Sequence, residues 1–233
     1  MKEYRVIHAF ENKTGQEVKT IDSWQIFKIM AEFIEGFEKL AKIGPCVSVM
    51  GSARTPKENK YYLLTEQIAG LLAKLGYGVI SGGGPGIMEA ANKGAAEAKG
   101  KSVGINIELA GHNYNNEFID ADKMLEFKYF FVRKVMLTKY AQGFIIMPGG
   151  FGTLDEFFEA VTLIQTGKIA RFPVVLVGTE YWAGLINWTK DKMLSEKNIK
   201  EDDLDLFRLA DTAEDAVDYI DKFYKKYALK PNF

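Results

Sequence analysis

Three stretches of this sequence carry residue types that could do chemistry. The first is Gly82-Gly83-Gly84-Pro85-Gly86, which follows the apolar run Tyr77 to Ser81. The second is Pro148-Gly149-Gly150-Phe151-Gly152, followed at once by Thr153, Asp155 and Glu156. The third is Arg133-Lys134, set inside the otherwise apolar stretch FKYFFVRKVML. Glycine lets a backbone approach a ligand closely and adopt positive φ. A turn from strand into helix adds free N–H groups and the positive end of a helix dipole, which together suit an anion. Gly83 and Gly84 in one turn, and Gly149, Gly150, Gly152 and Thr153 in the other, are therefore candidate anion ligands. The competing reading makes each turn no more than a tight connection, with Pro85 in the first turn of the helix that follows.

The charged candidates also have two readings. Thr153 and Glu156 stand three apart where a helix should begin, near Thr153. That is the spacing of a capping box, and equally of a carboxylate aimed at a ligand held by the turn; Asp155 points elsewhere on the helix. Arg133 and Lys134 are either a snorkelling pair or cations facing a crevice, where the planar fork of arginine suits phosphate. Glu89 sits where acids commonly favour a helix N-terminus. Ser52, after the run CVSVM, can cap the next segment or touch ligand, and His112 reads as an ordinary loop residue. Several familiar sites are missing: GxGxxG, HExxH, CxxC and GxSxG do not occur, and Lys99-Gly100-Lys101-Ser102 imitates only the end of a Walker A loop, with Ala95 in place of its first glycine.

The elements that must position these residues alternate. Strands are expected at Cys46–Met50, Tyr77–Ser81, Ser102–Ile107, Met124–Phe127, Gly143–Met147, Pro173–Val177 and Asp205–Leu209. Helices are expected at Glu58–Leu75, Ile87–Ala98, Tyr129–Ala141, Thr153–Gln165, Trp182–Leu194 and Ala213–Tyr227. Continuous apolar strands between helices imply an α/β, doubly wound, Rossmann-like parallel sheet with helices on both faces, and right-handed crossovers. Ligands of such sheets bind beyond the carboxyl ends of the strands, where both glycine turns fall. An N-terminal extension, residues 1–42, precedes the nucleotide-binding domain, residues 43–233. It carries an amphipathic helix over Ile21–Ala41 with Trp24, Phe27, Met30, Phe33, Ile34, Phe37 and Leu40 at helical spacing, a face to be buried on the core or on a partner.

Composition narrows the function classes. The chain has 233 residues, 47% hydrophobic and 26% charged, with 30 Lys+Arg against 31 Asp+Glu and a net charge of -1. That balance fits a globular domain and argues against a dedicated nucleic-acid binder. No run of about 18 apolar residues is present to span a membrane. The first 20 residues lack the apolar centre of a signal peptide, and a single cysteine, Cys46, suits a cytoplasmic setting. Two histidines, His8 and His112, are too few and too far apart for a His-based metal site.

On these residues the sequence resembles a known family. Pro148 to Glu156 (PGGFGTLDE) is similar to the PGGxGTxxE motif of the LOG ("lonely guy") family, with Arg133-Lys134 upstream where that family carries its arginine and lysine. GGGPGIMEAANKGA from Gly82 and MGSAR from Met50 look like the family too, so the resemblance covers about Cys46 to Val177. It implies a nucleoside 5'-monophosphate phosphoribohydrolase that needs no cofactor and no metal, although members are often labelled lysine decarboxylase; no pyridoxal-phosphate site is recognisable. It further implies a purine nucleoside monophosphate as substrate and a homodimer or larger homo-oligomer. By the same pattern Arg133 belongs to the catalytic pair with Glu156, its charge serving to bind phosphate or to help the departing purine accept a proton. Lys134, Glu89, Ser52 and Thr162 are further candidates for substrate contact. Tyr129 to Val132 stand where plant members have Asp-Met-His, and the N-terminal extension is longer than theirs; both departures favour a broader or AMP-like substrate over a cytokinin. Molybdenum-cofactor carrier proteins resemble the same family, so a non-hydrolytic carrier is the alternative, and a nucleotide sensor a third. The Arg133/Glu156 pair is the feature a carrier has no catalytic need for.

Overall fold

The computed structural model describes residues 15–109 and 115–227, with only the backbone described for residues 15–22. His8 and His112 lie outside the described residues. The chain runs α1 (Gly15–Leu40), β1 (Cys46–Met50), α2 (Lys60–Lys74), β2 (Gly78–Ser81), α3 (Ile87–Glu97), β3 (Ser102–Ile107), β4 (Met124–Phe127), α4 (Phe130–Lys139), β5 (Ala141–Ile146), α5 (Phe151–Gln165), β6 (Val174–Val177), α6 (Thr179–Trp188), β7 (Arg208–Ala210) and α7 (Ala213–Lys226). The strands form one seven-stranded sheet in the order β4-β3-β2-β1-β5-β6-β7, and every neighbouring pair is parallel. This is the doubly wound α/β architecture expected from the alternation of elements.

Strand side chains alternate between two cores. Val47, Val49, Val79, Ile145, Val175 and Val177 face α2, α3 and α7. Cys46, Met50, Ile80, Phe144, Ile146 and Leu176 face the opposite layer, with Met136, Phe157 and Trp182. Both faces are covered, so the strands read as unbroken apolar runs. Cys46 is fully enclosed, and burial pushes its thiol up to about 12, which leaves it an inert core residue.

The order of strands decides where a ligand can sit. Chain direction reverses its march across the sheet between β1 and β5, and the crevice at such a switch point is the usual site. The segments leaving β2, β1 and β5, three adjacent strands, are the first glycine turn, the Gly51-Ser52 loop and the second glycine turn.

Several boundaries differ from the sequence expectation; the N-terminal helix, expected from Ile21, already runs from Gly15, and three others bear on the sheet edge and the glycine turns. The strand expected at Asp205–Leu209 begins at Arg208, because Glu201–Leu206 winds into a 3-10 turn in which Asp203 accepts from the Lys200 N–H at 2.8 Å. The helix expected at Trp182–Leu194 begins at Thr179, whose N–H donates to Asp211 at 2.7 Å from beyond β7. Its last turns widen into a π-helix at Thr189–Leu194. The helix expected from Thr153 begins at Phe151.

α1 packs on the core through Ile29, Phe33, Gly36 and Leu40, at four-three-four spacing. A Cβ on Gly36 would come within 2.7 Å of Met136, so this glycine sets the closeness of α1 to α4. Glu32 accepts from the N–H groups of Lys128 and Tyr129 at 3.0 and 3.3 Å, capping the entry to α4 from outside. Of the seven residues expected on the apolar face, only Phe33 and Leu40 are covered within this chain, while Trp24, Phe27, Met30, Ile34 and Phe37 remain exposed.

Candidate functional site

The loop after β1 joins the two glycine turns. The Ser52 N–H donates to the Pro148 carbonyl at 3.1 Å, and the Ser52 carbonyl accepts from the Ile87 N–H at 3.0 Å. Its hydroxyl accepts from the Arg54 N–H at 3.1 Å, so Ser52 holds both turns through its backbone while its side chain closes its own loop. Gly86, the residue before α3, has φ +66° and lies against this loop: a Cβ there would stand 2.5 Å from the Ser52 carbonyl oxygen. Pro85 therefore precedes the helix cap rather than filling the first helical turn, as the sequence suggested.

The first turn is braced from within the fold. Ser81 Oγ accepts from the Gly83 N–H at 2.9 Å and donates to Asn92 Oδ1 at 2.5 Å. Asn92 is fully buried and donates to Ser102 Oγ and the Val103 carbonyl. Asn116 Nδ2 donates to the carbonyls of Gly83 and Gly84, both at 3.1 Å. A buried polar network that is fully partnered holds one geometry. Glu89, at the start of α3, is occupied by Lys57 at 2.6 Å and the Tyr62 hydroxyl at 3.1 Å. Burial and Glu89 together push the Tyr62 phenol above its ordinary value.

The second turn is open. No side chain caps α5, whose first residue is Phe151 and whose cap is Gly150, so its leading N–H groups have no capping side chain. A Cβ added at Gly150 or Gly152 would meet nothing within 4 Å, whereas one on Gly149 would collide with the Thr153 hydroxyl. Thr153 is thus the third helical residue and packs over Gly149, and Glu156 is the sixth. The Thr-x-x-Glu spacing imitates a capping box without forming one, since Gly150 caps the helix without a side chain.

Glu156 is 7% exposed, and its Oε2 is buried without a hydrogen-bond partner. Burial pushes its carboxyl up to about 7, against the opposing pull of Arg133 and Lys134 and with added repulsion from Glu159. Arg133 lies in the first turn of α4; its Nε donates to the Ile105 carbonyl at 2.8 Å, and a Cβ on Gly82 would overlap its guanidinium. Burial draws the Arg133 pKa below the ordinary arginine value while Glu156 opposes that shift. Arg133 therefore lies against the first glycine turn, and its charge acts on the Glu156 carboxyl across the space between α4 and α5.

The remaining candidates fall around this centre. Lys134 pairs with Asp155 at 2.9 Å and Glu159 at 3.0 Å, which ties α4 to α5. Thr162 is exposed, six residues beyond Glu156 and so about 9 Å further along α5. It lines a groove of about 440 Å³ with Phe151, Leu154 and Phe158 that starts at the second turn. Asn92, Asn116 and Tyr181 touch the turns but escaped the sequence reading; Asn92 lies inside the quoted GGGPGIMEAANKGA run, while nothing in spacing marks the other two. Among the described residues no group of three or more His, Cys, Asp or Glu could hold a metal ion, and no helix is long and apolar enough to cross a membrane.

Fold and site together define a parallel α/β protein with two glycine turns joined through Ser52, beside a half-buried Arg133 and a buried Glu156. Residues 88–220 match the family model described as "Possible lysine decarboxylase". The chain is 28% identical over 151 residues to the cytokinin riboside 5'-monophosphate phosphoribohydrolase LOG5 of Arabidopsis thaliana, covering 62% of this chain and 63% of that protein. It is 30% identical over 144 residues to the cytokinin riboside 5'-monophosphate phosphoribohydrolase of Mycobacterium tuberculosis, covering 58% of this chain and 73% of that one. The chain belongs to this family, that of the LOG proteins. The fold is also that of the molybdenum cofactor binding protein of Rippkaea orientalis, with a TM-score of 0.56 at 20% identity over 77% of this chain and 95% of that one.

Proposed function

We propose that this chain hydrolyses the N-glycosidic bond of a purine nucleoside 5'-monophosphate, releasing free base and ribose 5-phosphate. The observation that carries the reading is Glu156: a buried carboxyl with an unpartnered oxygen, two turns into the helix that the open glycines begin, and electrostatically coupled to Arg133. Such a carboxyl is expensive to bury and does nothing for the core.

Breaking the bond from C1' of the ribose to the base nitrogen builds positive charge on the sugar, as in glycoside hydrolysis. The Glu156 carboxylate stabilises that charge and orients water or a ribose hydroxyl. Water supplies the oxygen that bonds C1', and the base leaves with a proton. The backbone of Gly149, Gly150 and Gly152, with Thr153, anchors the phosphate at the start of α5, which places the reacting bond beside Glu156. Arg133 offers the fixed cation, to phosphate or to the leaving purine. Gly83, Gly84, Ser52, Glu89, Lys134 and Thr162 shape the surroundings.

The test is incubation of the purified chain with AMP and with a cytokinin riboside monophosphate, free base being followed by chromatography. Release from AMP at least equal to that from the cytokinin nucleotide is expected. Tight binding of nucleotide without release of base would favour a carrier instead.

The same reading includes a homo-oligomer. Trp24, Phe27, Met30, Ile34 and Phe37 form an exposed stripe on α1 that flanks its core-facing side. An antiparallel pair of α1 helices crossing between Met30 and Ala31 sets Trp24 against Phe37 and Phe27 against Ile34, with the small Ala31 at the crossing. That self-complementarity is what a twofold interface requires. Light scattering should give at least a dimer, and the pair Phe27→Glu and Ile34→Glu should reduce it to a smaller species. A monomeric parent chain would refute the interface.

A further inference from the structure

The two halves of a peptide bond point in opposite directions, because the unit is planar and trans. Whatever fixes a carbonyl therefore also aims the N–H of the next residue. Glycine pairs flip easily between the two orientations, having no Cβ to resist. The Gly149–Gly150 peptide is such a unit. In one orientation it presents the Gly150 N–H to an anion at the start of α5; in the other it presents a carbonyl oxygen, which repels one.

A side chain from outside the motif settles which. The Tyr181 hydroxyl donates to the Gly149 carbonyl at 2.8 Å. Tyr181 stands in the first turn of α6, after β6, and its ring packs edge-on against Trp182 with centroids 4.9 Å apart. Trp182 is itself buried, its indole N–H donating to the Val177 carbonyl at 3.0 Å. The tyrosine thus takes hold of the turn from a rigid base. The first turn shows the same device, with Asn116 drawing off the carbonyls of Gly83 and Gly84 and so turning the Gly84 N–H the other way.

We infer that Tyr181 is a positioning residue for phosphate: by holding the Gly149 carbonyl it keeps the Gly150 N–H turned toward the phosphate of the bound nucleotide. This rests on the function proposed above. It adds a residue that neither glycine motif contains, and whose hydroxyl acts on the ligand only through the peptide it holds.

The experiment measures binding of AMP, ribose 5-phosphate and adenosine by calorimetry to the parent chain and to Tyr181→Phe, with melting temperatures of both and KM and kcat for AMP. Tyr181 is half exposed, so loss of its hydroxyl should leave the melting temperature in place. Affinity for AMP and ribose 5-phosphate should fall roughly fivefold to tenfold, the range of one hydrogen bond. Adenosine binding should be unchanged, and KM should rise while kcat holds. Equal losses for adenosine and AMP together with a lower melting temperature would make Tyr181 merely structural and overturn the inference. Unchanged ribose 5-phosphate affinity in Tyr181→Phe would overturn it alone and leave the proposed function standing. A parent chain that binds AMP no better than adenosine would refute the proposed function, and the inference with it.

Discussion

Glu156→Gln raises the melting temperature of the chain at pH 8 and sharply slows the proposed base release. The carboxyl titrates at about 7 in the folded protein against an ordinary 4.5, with burial as the largest cause. Between these values the folded state holds more protons than the unfolded one, so this group makes stability fall as pH rises through the window. Above pH 7 the full cost of a buried charge is present, on the order of 3 kcal/mol. Glutamine has the same shape and no charge, so it removes that cost. For a domain of this size the gain corresponds to roughly 5–10 °C in melting temperature. Well below pH 4.5 the Glu156 carboxyl is protonated in the folded and the unfolded state alike, and the difference between the two proteins should vanish. Base release should drop by about 100-fold to 1,000-fold, the effect of removing one preorganised electrostatic group. Scanning calorimetry from pH 4 to 8 beside the chromatographic assay checks both halves. Equal melting temperatures at pH 8 would show that Glu156 carries no buried charge, and retained release would remove it from the chemistry.

The glycines should divide into two kinds. Gly86→Ala forces a side chain into a backbone at φ +66°, with its Cβ 2.5 Å from the Ser52 carbonyl oxygen and 2.8 Å from the Ala53 carbonyl carbon. Neither contact is the movable end of a side chain, so the β1 loop must shift or α3 must lose its cap. A loss of about 3 kcal/mol or more is expected, and with it roughly 10 °C of melting temperature. Gly150 has φ −91° and open space where a Cβ would go. Gly150→Ala should change stability by less than about 0.5 kcal/mol. Its added methyl stands where a phosphate would approach the helix, so affinity for AMP should fall by about tenfold, the size of one lost hydrogen bond to a charged group. Melting curves and calorimetric titration with AMP separate the two effects. If Gly150→Ala binds AMP as the parent does, the second turn is a connection and nothing more.

Much of this arrangement was legible in local pattern. The helix and strand series followed from apolar runs and helical spacing, and six of the seven strands begin within two residues of where the sequence places them. Boundaries failed where a partner distant in sequence supplied the cap: Asp211 starts α6 at Thr179. The Thr153/Glu156 pair was ambiguous because Thr-x-x-Glu serves a capping box and a ligand-facing carboxylate equally. The tertiary structure resolved the helix start through Gly150, which needs no side chain to cap. Arg133 and Lys134, adjacent in sequence, parted company for a similar reason. On successive helical positions they face different neighbours, Arg133 reaching Ile105 and the first glycine turn and Lys134 reaching Asp155 and Glu159.

What the sequence determined by itself is whatever depends on near neighbours along the chain. That covers strands buried on both faces, two glycine turns each running from a strand into a helix, a carboxylate one turn beyond Thr153, and an amphipathic N-terminal helix with an aromatic-rich face. What only the tertiary structure decided is which of these meet. The sheet order sets β2, β1 and β5 side by side, so that Ser52 can bond to both turns. It also brings Asn116 and Tyr181, from the segments after β3 and β6, onto glycine carbonyls they do not adjoin in sequence. Periodicity reports the face a residue turns to the core, because helix and strand geometry repeat every few residues. It is silent about which crossover lies beside which, since that follows from packing two layers of helices over one twisted sheet.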